Sequence, residues 1–193
     1  MAHHRTLAAL SALSLMMALP AAANPRSDAL EPAESQVNFE TDFGPDLITG
    51  TMPVAAATVV IDFDNLAASR VTVDLDAGRA SASFPFATQA MTGARVLDTA
   101  NYPLMHFETT EVTALGPTEA TLDGTLTLRG IAQAIRLHAA IYRQQGTAPG
   151  DLSALVILLT GALNRSAYGA NGWSDLVGDQ VRLTIHASIV ATD

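Results

Sequence analysis

Three histidines lie beyond the start of the chain: His106, His138 and His186. A zinc or copper site would need their imidazoles to converge on one cavity. Each sits instead in a stretch of alternating polarity, where period two sends neighbours to opposite faces of a strand. His106 lies opposite Met105 and Phe107, His138 opposite Ile135 and Leu137, and His186 opposite Leu183, Ile185 and Ala187. All three are expected on an outer face, with no metal site. Nucleophilic chemistry has little to work with. There is no cysteine and no glycine-x-serine-x-glycine turn, and Ser166 has no inward histidine to serve as its base. Asp74 and Asp76 point outward with Arg70, as a solvated strand face does, not as a glycosidase pair. The expectation is a protein without catalytic residues, metal or cofactor. Arg165 is the charge that stands out, closing the apolar run "LSALVILLTGALN" just before Ser166, Tyr168 and Gly169. Two readings remain open for it: a surface arginine ending a strand, or a donor to a ligand oxygen at the mouth of an enclosed space. Trp173, in "GANGWSD", either caps that space or packs on it.

The elements that would position these residues begin after the first two dozen. Arg5, the apolar run Leu7–Leu19 and the small residues Ala21-Ala22-Ala23 form the pattern of a secretory signal peptide, 1–23. The run is shorter than the roughly 20 residues a transmembrane helix needs. The remainder, 24–193, is expected to be one exported, periplasmic domain large enough for a real core. With a formal net charge of −9 and no lysine, the chain is a poor partner for nucleic acid or for anionic membrane surfaces. With no cysteine, the core must hold without disulfides.

Residues 24–34 read as a polar lead-in. Alternation then marks strands in "SQVNFET", "LITGTM", "ATVVIDFD", "SRVTVDLD" and "LMHFETTEVTAL". The stretch "LDGTLTLRGIAQAIRLHAAI" holds two more, joined by a turn at Gly130, with Leu122, Gly124, Leu126 and Leu128 on one face. "LSALVILLTGALNR" and "DQVRLTIHASIVA" complete the set. "FATQAMTGARVLDTANYP" breaks the pattern with Ala87, Ala90, Met91, Ala94 and Leu97 at helical spacing, interrupted by Gly93 and ended before Pro103. Seven to nine strands with one short helix suit a sandwich or an up-and-down barrel, and a barrel leaves no open edges.

Several of these stretches together resemble the YceI-like family of exported proteins. They are "LEPAESQVNF", "SRVTVDLD", "ANYPLMHFET", "DGTLTLRGIAQAIRL", "LNRSAYG" and "LVGDQVRLTIHASI", in the family's order from Leu30 to Ala191. The chain departs from the family pattern at Leu30, in place of an aromatic residue, and at Glu31-Pro32 and Glu34-Ser35, in place of aspartate-proline and histidine-serine. In Arg165-Ser166-Ala167-Tyr168-Gly169 the usual acid after the arginine is replaced.

The resemblance implies an all-β, lipocalin-like extended antiparallel barrel of about eight strands with one short inserted helix. It implies a tunnel that holds a long isoprenoid lipid, such as an isoprenoid quinone or a polyprenyl chain, as ligand and not as cofactor. It also implies a membrane cytochrome b as partner, since some members occur beside or fused to one. An interaction module serving such a cytochrome or a stress-response complex, with the tunnel incidental, is the alternative. Alternation and resemblance together place Phe39, Met105, Phe107, Leu126 and Leu163 inward from different strands. Met91 and Leu97 would close the space from the helical insertion, with Arg165 and Tyr168 beside it.

Overall fold

The computed structural model describes residues 26–143, 146–148 and 150–192; the expected cleavage point after Ala23 lies outside them. Eleven strands and one helix follow in order: β1 (Arg26–Leu30), β2 (Gln36–Phe43), β3 (Asp46–Met52), β4 (Val54–Ile61), β5 (Arg70–Asp76), β6 (Ser81–Ala82), α1 (Pro85–Thr92), β7 (Leu104–Ala114), β8 (Glu119–Leu128), β9 (Ile131–Arg143), β10 (Ala154–Asn164) and β11 (Val177–Ala191). Eight of them, in the order β1, β4, β5, β7, β8, β9, β10 and β11, form an antiparallel ring that closes where β1 pairs with β11. β2, β3 and β6 extend the wall beyond the ring from the same strand β11. The result is an eight-stranded antiparallel barrel drawn out on one side.

Parity is obeyed along the walls. Leu122, Gly124, Leu126 and Leu128 of β8 are buried, as are Ile135, Leu137 and Ala139 of β9. The β8–β9 turn is two residues long, with Arg129 at φ 52° and Gly130 at φ 74°, the left-handed pair that matches strand twist in a tight hairpin. On the outer face, charge pairs sit directly across strands. Arg136 donates to both oxygens of Asp123 at 2.7 and 2.9 Å, and Arg182 to Glu40 at 2.6 Å and Asp42 at 2.9 Å. Exposed pairs of this kind add little stability, but they keep the charged face outward.

Besides the two-residue β6, which the sequence reading lacks, three elements differ from it. The lead-in contains a strand, β1, although "RSDAL" has no apolar alternation. Its backbone is recruited by two waiting edges, β4 and β11, and without it the ring would stay open. β4 stops at Ile61, before Phe63, because the Asp62 carboxylate accepts the backbone N–H of Asp64 at 3.0 Å and of Asn65 at 2.8 Å and turns the chain. The helix ends at Gly93 instead of continuing through it, so Leu97 lies in a turn, its N–H donated to the Met91 carbonyl at 2.9 Å. Pro85 opens α1 at its first turn, where its fixed φ suits a helix and its missing N–H costs nothing.

Glycines make room for two of the inward phenylalanines, Phe107 and Phe39. A Cβ on Gly124 would stand 2.5 Å from the Phe107 ring and 2.6 Å from the Glu108 carbonyl oxygen, and Phe39 lies likewise over Gly50. Replacing Gly124 with valine should therefore push Phe107 off its seat and cost about 1–3 kcal/mol. The expected result is a melting temperature lower by several degrees. An unchanged melting temperature would mean that Phe107 moves without cost.

Candidate functional site

The inward side chains do not fill the barrel. They surround an elongated cavity of about 570 Å³, within the range of small-molecule sites. Its wall runs along β11 from Val177 to Ile189, roughly 40 Å of strand at about 3.3 Å per residue. The lining is apolar almost throughout; its few polar side chains are Ser35, Gln36, Thr41, Ser69, Arg165 and His186, with Trp173 as a further partly polar group. At the end away from α1, Val59, Ile61, Leu155 and Ile189 pack into a closed cluster, the last two only 1% exposed. At the α1 end the lining includes exposed side chains, Phe86 and Leu176, so the cavity reaches the surface there.

Phe39, Met91, Leu97, Met105, Phe107, Leu126, Leu163 and Arg165 all border this cavity. They come from β2, α1, the turn after it, β7, β8, β10 and the short turn after β10, so distant segments meet in one space. Tyr168 does not border it. Its side chain is packed into the core at 2% exposure, because the short 3-10 turn Arg165–Tyr168 directs it against the wall from behind. Burial raises its phenol above the ordinary value of 10.0. The folded chain thus favours the neutral phenol, and the associated stability is complete below the ordinary phenol value and lost as pH rises through the raised one. Urea unfolding of Tyr168→Phe should show a flatter stability curve above about pH 9 than the parent chain. Parallel curves would place the alkaline loss elsewhere.

Arg165 is not the surface arginine of the first reading: it is 8% exposed, borders the cavity and turns donors into the protein. Nε donates to the Gly178 carbonyl at 2.8 Å, Nη1 to Ala170 at 2.6 Å and Gly172 at 2.7 Å, and Nη2 to Val177 at 2.9 Å. Four carbonyl dipoles take the place of the acid the motif lacks. Desolvation pulls its pKa below the ordinary guanidinium value, partly offset by Asp179, whose carboxylate binds the Ser166 N–H and hydroxyl at 2.8 Å each. Arg165 thereby fixes the segment 170–178, which carries Trp173 to the cavity mouth. Arg129 fastens the neighbouring turns, Nη1 donating to the carbonyls of Val96 and Gly169, each at 2.8 Å. Trp173 meets the Phe86 ring edge-on at 5.9 Å and the Arg95 guanidinium at 5.0 Å. It caps one end of the cavity, a role that "GANGWSD" alone left open.

Truncating Arg165 to methionine would leave several buried carbonyls without donors, at about 1–3 kcal/mol each where water cannot reach. A loss of about 3 kcal/mol or more is expected in denaturant unfolding, with little rescue by lysine, whose ammonium cannot span the four acceptors. A loss below about 1 kcal/mol would show that the loop is held by other contacts.

His106 and His138 stand apart from the cavity; His186, expected on the outer face, is exposed but also borders it. His106 is on the outer face of β7, with Nδ1 2.7 Å from the Asp74 carboxylate, and His138 is exposed on β9. His186 is exposed on β11, at a flank where the wall is bordered by Ser35 and Gln36. Among the described residues no group of three or more His, Cys, Asp or Glu side chains is placed to hold a metal ion.

The sequence profile of the YceI-like domain matches residues 29–189. The chain belongs to the YceI-like family. Solved structures of the same architecture agree. Burkholderia cenocepacia BcnA superposes with a TM-score of 0.73 at 17% identity, over 83% of this chain and 99% of that one. A polyisoprenoid binding domain from Saccharophagus degradans, implicated in plant cell wall breakdown, gives 0.63 at 14% identity, over 86% and 99%. The Campylobacter jejuni YCEI protein gives 0.59 at 19%, over 74% and 84%. No curated protein matches in sequence. For this YceI-like chain, the likeness establishes the barrel; the content of the barrel rests on its own lining.

Proposed function

We propose that this YceI-like protein is a periplasmic carrier that holds a long isoprenoid lipid, such as an isoprenoid quinone or polyprenyl chain, and catalyses no reaction. The observation that carries the reading is the elongated, apolar, unfilled cavity inside a closed wall. The structural likeness to the Saccharophagus degradans polyisoprenoid binding domain supports the ligand class. The export pattern of residues 1–23 supports the compartment.

Energetics favour a chain-like ligand. Burying apolar groups gains about 0.8 kcal/mol per CH₂, or roughly 4 kcal/mol per five-carbon isoprene unit before costs. About five units approach the practical ceiling of non-covalent affinity, near 20 kcal/mol. Retention needs no strong polar contact, which agrees with an Arg165 already committed to four carbonyls. A headgroup then serves selectivity more than holding.

Leu126 lies on β8, buried and bordering the cavity. Replacing it with tryptophan should occupy the space, abolish co-purifying lipid and leave the melting temperature within a few degrees of the parent. Solid core would respond differently, with a loss of about 1–3 kcal/mol from overpacking. A destabilised variant, together with a lipid-free parent, would favour instead a module that serves a membrane cytochrome.

A further inference from the structure

The exposed apolar side chains of the barrel are unevenly placed. Nine large ones are exposed among the described residues: Leu47, Phe86, Tyr102, Leu104, Leu115, Ile131, Tyr142, Val156 and Leu176. Six of these nine stand at the α1 end: Leu47 beside the β2–β3 turn, Phe86 on α1, Tyr102 and Leu104 at the start of β7, Ile131 at the start of β9, and Leu176 before β11. Phe86 and Leu176 are also cavity lining, 61% and 56% exposed, so the apolar interior runs out onto this surface without a polar break. Trp173 lies between them, an amphipathic ring of the kind found at membrane interfaces. The opposite end of the tunnel is closed by the packed cluster around Leu155 and Ile189. The flank at Gln36 and His186 also reaches solvent, but through polar side chains that an isoprenoid tail would avoid.

Charge narrows the partner. The flanking residues of this end include Asp42, Asp46, Asp175 and Asp179, and the chain has no lysine. The arginines there are engaged: Arg165 and Arg129 with backbone carbonyls, Arg79 with the Asp76 carboxylate at 3.0 Å, and Arg95 against Trp173. An anionic surface would be repelled, whereas an uncharged one would accept the apolar rim.

We propose that the α1 end seats the mouth of the tunnel on the surface of a zwitterionic lipid bilayer, so that an isoprenoid chain passes between membrane and barrel without crossing water. This rests on the carrier reading above. The geometry explains why most of the exposed apolar side chains gather at one end, and why the loop that carries Trp173 is so firmly fastened.

Trp173 is the chain's only tryptophan, so its fluorescence reports on this mouth alone. With protein-free phosphatidylcholine vesicles the emission should shift to the blue, brominated acyl chains should quench it, and the protein should float with the vesicles. Leu47→Asp combined with Leu104→Asp, two exposed positions that do not border the cavity, should weaken flotation by at least about tenfold, the scale of one lost apolar anchor. Leu115→Asp combined with Tyr142→Asp, at the opposite end, should leave it unchanged. Both double variants should retain the parent's lipid content in organic extracts, which separates this proposal from the carrier reading. Lipid in the extracts without flotation or blue shift would overturn the seating and leave the carrier intact. Binding only to phosphatidylserine-rich vesicles, or only to vesicles that contain membrane protein, would also overturn it.

Discussion

Strand β11 is the constraint on which the molecule depends. One edge is hydrogen-bonded to β10 in continuous register from Asn164↔Gln180 to Ala154↔Val190. The other edge serves β2 along its first part and β1 at its end, Asp28↔Ala191 to Leu30↔Ile189. One long strand therefore closes the ring and carries the wall past it. Closure removes free edges, and it also fixes side-chain parity around the circumference, because a one-residue slip would turn the inward valine, leucine and isoleucine side chains of β11 outward. Val181, Leu183, Ile185, Ala187 and Ile189 consequently all face in.

Parity alone yields an apolar interior; residue size decides whether it is filled. The inward positions of this barrel are mostly valine, leucine, isoleucine and alanine, with only Phe39 and Phe107 large among the ring and extension walls away from the mouth, and both lie over glycines. Their rings are thus set back against the wall instead of crossing the lumen. The space that remains is long, closed by packing at one end and capped by Phe86 and Trp173 at the other. The polar work is confined to the capped end, where Arg165 and Arg129 gather the carbonyls of irregular loops that no sheet partner can satisfy. A charge buried by the cavity is here a structural fastener, and the lumen is left to dispersion and the hydrophobic effect.

Much of this was legible in the sequence. Period two in "SRVTVDLD", "LDGTLTLRGIAQAIRLHAAI" and "DQVRLTIHASIVA" placed the inward faces correctly, because a half-buried strand must alternate. It also placed His106 and His138 outside. β1 was not legible, since "RSDAL" becomes a strand only because β4 and β11 offer it backbone partners. The short β6 is of the same kind, paired with β3 through two residues. Arg165 was noticed but its partners were not legible, because its four acceptors are main-chain oxygens whose positions depend on the path of 170–178, and main-chain oxygens carry no sequence signal. Tyr168 was assigned to the cavity by its neighbour, whereas the turn it closes sends it into the core.

The central claim is that the lumen holds an isoprenoid chain. Native mass spectrometry of the full chain, purified from its native cells without detergent, tests it most directly. The account predicts a species heavier than the mature polypeptide that releases, on collisional activation or organic extraction, a lipid built of repeating five-carbon units. A single species at the polypeptide mass, with no such lipid bound after incubation with isoprenoid quinone in vesicles, would contradict it.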